Sequence, residues 1–210
     1  MRDLVIYGAG GLGRETAAIV ARLNEKHRLW NFLGFLDDAK NAKPAASGLK
    51  VLGGLDFIRS FASPLDVAIA VAAPAGKRKL YETLKPLAHV HFPNLIDEHT
   101  EIAPCARLEE GAIVSHMCSI SVDVTLGKCV FINTGSHIGH DSIVGDFCSI
   151  MSNVNVSGNV RLGENTTVGV GASILQGKTV GSNSTVGMGS IVVTNVPDNC
   201  TVFGNPARKL

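Results

Sequence analysis

Three short stretches hold residue types that can do chemistry. The first is Gly8-Ala9-Gly10-Gly11-Leu12-Gly13, which matches GxGxxG at Gly8, Gly10 and Gly13, with Asp37-Asp38 starting 24 residues beyond Gly13. Glycines in such a loop let the backbone approach a diphosphate, and the free amides that open a helix favour an anion. The second runs from Ile132 through Asn133, His137 and Gly139 to His140-Asp141. An imidazole beside a carboxylate can accept a proton near neutral pH and hold the imidazolium that results. A solvated corner histidine is the plainer reading. The third is Lys77-Arg78-Lys79, which reads as a solvated helical face or as an attractor for phosphate. A metal needs three or four converging ligands. No further ligand joins His137, His140 and Asp141 at one corner, so no metal is expected.

The glycine loop has the context that gives it meaning. Residues 4–8 (LVIYG) read as a buried strand, and Arg14 to Lys26 as a helix with Ala17, Ala18, Val20, Ala21 and Leu23 on one face. Residues 32–37 and 66–72 read as further strands, with a turn-rich stretch at Pro44, Ser47 and Gly48 and a short helix at 56–61 between them. A helix at 76–87 and a last strand at 89–96 follow. This order predicts a small parallel sheet with helices outside, an α/β Rossmann-like half domain. At ~95 residues it is about half of a two-lobed dinucleotide fold, so it can hold one nucleotide diphosphate but offers no second lobe for a nicotinamide. A dehydrogenase is disfavoured. A tight turn that binds nothing is the competing reading of the loop.

The second half is a repeat. At every sixth position from Ile102 to Val192 stands Ile, Leu or Val, including Ile132, Ile138, Val144 and Ile150. The residue two before is usually small, and the one after is often Gly or Asn, expected there to take turn dihedrals that a bulky residue resists. A period of six fits one short strand and one turn. Three such units close a triangular coil of 18 residues, and stacked coils bury an aliphatic column. In that register His140 sits on an outer corner, with Gly158 one coil above it, leaving a slot beside the imidazole. Phe131, Ile143, Phe147 and Met151 fall outside the inward columns, which suggests a subunit interface. The expected division is 1–98, 99–197 and a tail at 198–210.

Composition narrows the class. The 210 residues carry 19 Lys+Arg against 18 Asp+Glu, which argues against a nucleic-acid protein. No apolar run approaches a membrane span, and Met1-Arg2-Asp3 leads into a strand without a signal-like segment. The five cysteines are odd in number and lack a CxxC, so they read as reduced thiols of a cytoplasmic protein.

With these features together, the chain resembles the hexapeptide-repeat sugar O- and N-acetyltransferases of bacterial surface-glycan pathways: the bacillosamine, perosamine and sialic-acid acetyltransferases. The likeness spans essentially the whole chain. It implies a C-terminal left-handed parallel β-helix, a homotrimer with sites between neighbouring prisms, and acetyl-CoA as co-substrate. It implies His140 as general base with Asp141 as its partner, and Asn133, Ser149, Gly158, Val170 and Gly187 along the acetyl-CoA groove. It also implies a nucleotide sugar held by Gly8, Gly10, Gly11, Leu12, Gly13, Asp37 and Asp38. Leu12 and Ser149 depart from the family, where histidines are common. The function implied is N-acetylation of a nucleotide-linked amino-deoxy sugar. The alternatives are O-acetylation of a sialic-acid-type sugar and a non-catalytic trimeric nucleotide-sugar-binding protein.

Overall fold

A computed structural model of the chain describes residues 1–39 and 50–210. The predicted turn at Pro44, Ser47 and Gly48 lies outside the described residues. The N-terminal unit runs β1 (Arg2–Tyr7), α1 (Gly11–His27), β2 (Trp30–Leu36), β3 (Val51–Gly53), α2 (Leu55–Ser60), β4 (Leu65–Ile69), α3 (Pro74–Leu84) and β5 (Val90–His91). Its five strands are parallel, in the order β3-β2-β1-β4-β5. The order reverses between β1 and β4, the place where open α/β sheets form a ligand crevice. The central strands are mostly apolar because helices cover both faces: Leu4, Val5, Ile6, Leu65 and Val67 are fully buried, and the one buried carboxylate of β4, Asp66, accepts from Trp30 Nε1. Sequence reading missed β3, whose three residues are too few to show a pattern.

From Leu95 the chain winds as a three-sided parallel solenoid. Through Val192 each strand pairs with one 18 residues away, as in Phe131 with Ser149, Ser119 with His137 and Thr125 with Ile143; the last pairing, Thr185 with Thr201, spans 16. The first face is built from strands such as Ile113–Val114, Phe131–Ile132 and Ser149–Ile150. The second includes Ser119–Ile120, His137–Ile138 and Asn155–Val156, and the third Thr125–Leu126, Ile143–Val144 and Arg161–Leu162. Ile120, Leu126, Ile132, Ile138 and their equivalents form one buried column, as the period of six predicts.

The glycines after the inward residue have a different role from the expected one. They lack positive φ. The left-handed positions fall two residues later, at Asp123, Cys129, Asp141, Phe147, Asn153 and Asn159. A Cβ on Gly139 would stand 2.6 Å from the Gly158 nitrogen, and one on Gly145 2.7 Å from the Glu164 nitrogen. These glycines let stacked coils approach at the corners.

Two boundaries shift. Leu95–Ile96 pairs with Ile113–Val114 and so belongs to the solenoid, which begins before residue 99. In the tail, Thr201–Phe203 continues the first face and Arg208–Lys209 folds back antiparallel onto it, closing the prism. The outward aromatics also change assignment. Ile113 and Phe131 join the core beneath α1, with Met151 packed against it, while Cys129 and Phe147 join Tyr81 and Phe92 beneath α3. Three of the four residues expected at a subunit interface are therefore covered by the chain's own N-terminal unit, which docks on the first face. Only Ile143 stays exposed. Arg22 with Asp97, Lys26 with Glu98, and Arg78 with Glu164 pair charges across the seam.

Candidate active site and nucleotide cleft

His140 and Asp141 occupy the corner between the second and third faces. Asp141 has φ +60°, a left-handed turn that swings its carboxylate back onto the preceding side chain. The His140 Nδ1 to Asp141 Oδ2 distance is 2.7 Å. In the neutral ring Nδ1–H then donates to the carboxylate, leaving the Nε2 lone pair free to accept a proton. Both side chains are about half exposed, at 48% and 52%, so the pair is open to substrate.

The expected empty slot over Gly158 is filled by the imidazole itself. A Cβ on Gly158 would lie 2.4 Å from His140 Nε2 and 2.5 Å from Cε1. Gly158 thus seats the ring, with Nε2 its nearest atom to that Cβ position. His137 lies on the second face with an exposed side chain.

The residues expected along the acyl-donor groove separate into two groups. Gly158 shares the corner of His140. Asn133 and Gly187 share one column at the corner between the first and second faces, and Val170 stands one position further along the same corner. Val170 is 49% exposed. The ring of Phe203 closes over Gly187, 2.2 Å from where its Cβ would stand. Ser149 leaves the groove set altogether. It is fully buried on the docked first face, donating to the Ala72 carbonyl at 2.6 Å and accepting from Lys77 Nζ at 2.9 Å.

In the N-terminal unit the glycines divide by role. Gly8 has φ +112° and its Cβ would meet the Ala70 carbonyl oxygen at 2.5 Å; a Cβ on Gly13 would meet the Gly8 oxygen at 1.9 Å. These two close β1 against β4 and α1 against the loop. Gly10 and Gly11 have open space where a side chain would stand, and no side chain caps α1. Its first amides are free for an anion. Leu12 is half-buried against the core beneath α1, a packing residue.

Asp37 holds the loop: Oδ2 accepts from the Ala9 amide and Oδ1 from the Ala39 amide, both at 2.9 Å. Asp38 accepts from the Tyr7 hydroxyl. Burial, and then that carboxylate, push the Tyr7 phenol well above its usual range. Gly8, Asp37, Asp38, Gly76, Lys79 and Leu80 line a cleft of 330 Å³ at the strand-order reversal. Tyr7 was not singled out from sequence; its signal is its place as the last residue of β1. Of the three cations, Lys79 reaches the cleft, while Lys77 is 1% exposed and docked on the solenoid.

Comparison with known proteins agrees with this architecture. Residues 3–84 match the family model described as the PglD N-terminal domain. GDP-perosamine N-acetyltransferase of Escherichia coli O157:H7 is 29% identical over 98% of this chain and 95% of its own length. The acetyltransferase domain of PglB from Neisseria gonorrhoeae, solved with acetyl coenzyme A, is 30% identical, with a TM-score of 0.90 over 100% of this chain and 99% of that one. PerB from Caulobacter crescentus, solved with CoA and GDP-perosamine, is 27% identical, with a TM-score of 0.89 over 100% and 98% of the two chains. The repeat, the glycine-loop unit and these likenesses along the whole chain lead to one assignment: the protein belongs to the sugar acetyltransferase family with a PglD-type N-terminal domain.

Proposed function

We propose that the protein transfers the acetyl group of acetyl-CoA to the amino group of a nucleotide-linked amino-deoxy sugar, with His140 as general base. The observation that carries this reading is the Nδ1–Asp141 contact, which leaves His140 Nε2 as the acceptor beside Gly158. The relatives solved with acetyl coenzyme A and with GDP-perosamine support the two substrates. As the acceptor nitrogen adds to the thioester carbonyl carbon, Nε2 takes its proton. The C–S bond then breaks, the acetyl group stays on nitrogen as an amide, and the CoA thiolate leaves to be protonated. Asp141 holds the tautomer and stabilises the imidazolium. Gly10, Gly11 and the opening amides of α1 hold the diphosphate.

The topology supports a site shared between chains. The N-terminal unit docks on the first face, and His140 stands on the edge between the other two, across the prism from its own cleft. Asn133, Val170 and Gly187 are on another edge again. A second copy beside the second face brings one chain's groove and cleft to the other's imidazole. The reading is a homotrimer of left-handed prisms acting in the cytoplasm, where acetyl-CoA is available.

Thiol release from acetyl-CoA, screened against UDP- and GDP-linked amino sugars, tests the proposal. His140→Ala is expected to lower turnover by a factor of order 10² or more. Unchanged turnover removes His140 from the mechanism. Nucleotide-sugar binding without turnover in the wild type replaces the enzyme with a binding protein.

A further inference from the structure

Helix α3 belongs to two places at once. One side carries Gly76, Lys79, Leu80 and Thr83 into the nucleotide cleft opposite Asp37 and Asp38. The other is fastened to the solenoid. Lys77 Nζ donates to the Cys148 carbonyl oxygen and to Ser149 Oγ, each at 2.9 Å, and Ser149 Oγ donates on to the Ala72 carbonyl just before the helix. The Arg78 guanidinium grips both Glu164 oxygens at 3.1 Å, and the Tyr81 hydroxyl donates to Glu110 at 2.7 Å.

Lys77 is the unusual member. It is an ammonium 1% exposed, bonded to a carbonyl and a hydroxyl, with no carboxylate among its hydrogen-bond partners. Burying a cation on neutral acceptors alone is costly, so stability does not explain a lysine here; an apolar residue of like volume would pack at lower cost. What the amine supplies is registration. Its acceptors lie on Cys148 and Ser149, eight and nine residues after His140, about half a turn on around the same winding. Adjacent coils differ in height by ~4.8 Å, and transfer tolerates misplacement of only about 1 Å.

We propose that Lys77 is a positioning residue: through Cys148 and Ser149 it fixes the height of the nucleotide cleft to the coil that carries His140. In a ring of identical parallel prisms every His140 lies at the same height, so a cleft registered to its own coil is registered to its neighbour's imidazole. The inference rests on the acetyl-transfer reading above.

The test uses the full chain, acetyl-CoA and the nucleotide amino sugar that the wild type turns over best. Lys77→Met is expected to lower kcat about tenfold or more while the KM for acetyl-CoA and the affinity for the free nucleoside diphosphate stay within about twofold, because neither binding surface is touched. Ser149→Ala, which removes one hydroxyl while the Cys148 carbonyl still accepts from Lys77, is expected to fold and to lower kcat in the same way by a smaller factor, and the double variant to be no worse than Lys77→Met. A merely structural lysine would reduce the amount of folded protein without separating kcat from KM. Wild-type kcat in Ser149→Ala and Lys77→Met, or equal losses in kcat and both binding constants, overturns the positioning role and leaves the enzyme reading standing. A wild type that turns over none of the sugars overturns both.

Discussion

The imidazole of His140 stands where a side chain on Gly158 would project, with Nε2 2.4 Å from the missing Cβ. Its ring is seated by an absence one coil above. Gly158 has no positive φ, and His140 supplies the three closest atoms to that Cβ. Gly158→Ala should therefore fold normally and push the ring aside. Turnover is expected to fall at least about tenfold, with thermal stability nearly unchanged. Wild-type turnover in this variant would mean that the ring position is not used.

Asp141→Asn keeps the shape of the turn and removes the charge. The left-handed φ of +60° is tolerated by asparagine, so the backbone should hold. The amide can present its NH₂ to Nδ1 and favour the wrong tautomer, as in other His–Asp pairs. Turnover is expected to drop about tenfold or more, with the KM for acetyl-CoA little changed. Equal activity would show that the 2.7 Å contact does not govern the base.

Much of this was legible in the chain. The hexad register gave the stacked coils because one aliphatic per six residues admits few alternatives, and it put His140 and Gly158 on one corner. What it could not give was which surface the N-terminal unit covers. Phe131 and Phe147 look alike whether they meet a second chain or their own helices, since outward apolar side chains state burial without naming a partner. Lys77 was hidden for the same reason. A cation in a Lys-Arg-Lys run carries no mark of being buried, and only the fold shows it facing Ser149 while Lys79 faces the cleft.

The glycine loop separates folding from binding. Gly13→Ala drives a methyl to 1.9 Å from the Gly8 carbonyl oxygen, which backbone atoms cannot yield, so a loss of several kcal/mol or failure to fold is expected. Gly10→Ala and Gly11→Ala meet open space. They should keep thermal stability near wild type and weaken binding of a nucleoside diphosphate about tenfold. Calorimetry of binding beside thermal denaturation checks both arms. Undiminished binding in Gly10→Ala and Gly11→Ala would move the diphosphate away from this helix end.

Burial pushes the Lys77 amine from 10.5 down to about 8. Between those values the unfolded chain holds a proton that the folded chain has released, so this group makes the protein more stable as pH rises. Two buried thiols near it act the other way. Burial pushes Cys148 up to about 11 and Cys129 up to about 12 from 9.0, so above about pH 9 the unfolded chain loses protons that the folded chain keeps. Comparing wild type with Lys77→Met isolates the amine. The stability difference should move in favour of the wild type between about pH 8 and 10.5, in denaturation followed at several pH values. A flat difference would mean that the buried amine keeps its ordinary titration.

The last relationship is between subunits. In the proposed arrangement the cleft of one chain serves the imidazole of its neighbour, so each should be replaceable by a neighbour's. Chains carrying His140→Ala keep an intact cleft, and chains carrying Gly11→Val, which fills the open space beside α1, keep an intact base. Each alone is expected to be nearly inactive. Co-assembled in equal amounts, a productive site needs the cleft of one variant beside the imidazole of the other. With random mixing in a ring each condition is met half the time, so about a quarter of wild-type activity should return. Activity no greater than the sum of the separate variants, in assemblies shown to be mixed, would place base and cleft in the same chain.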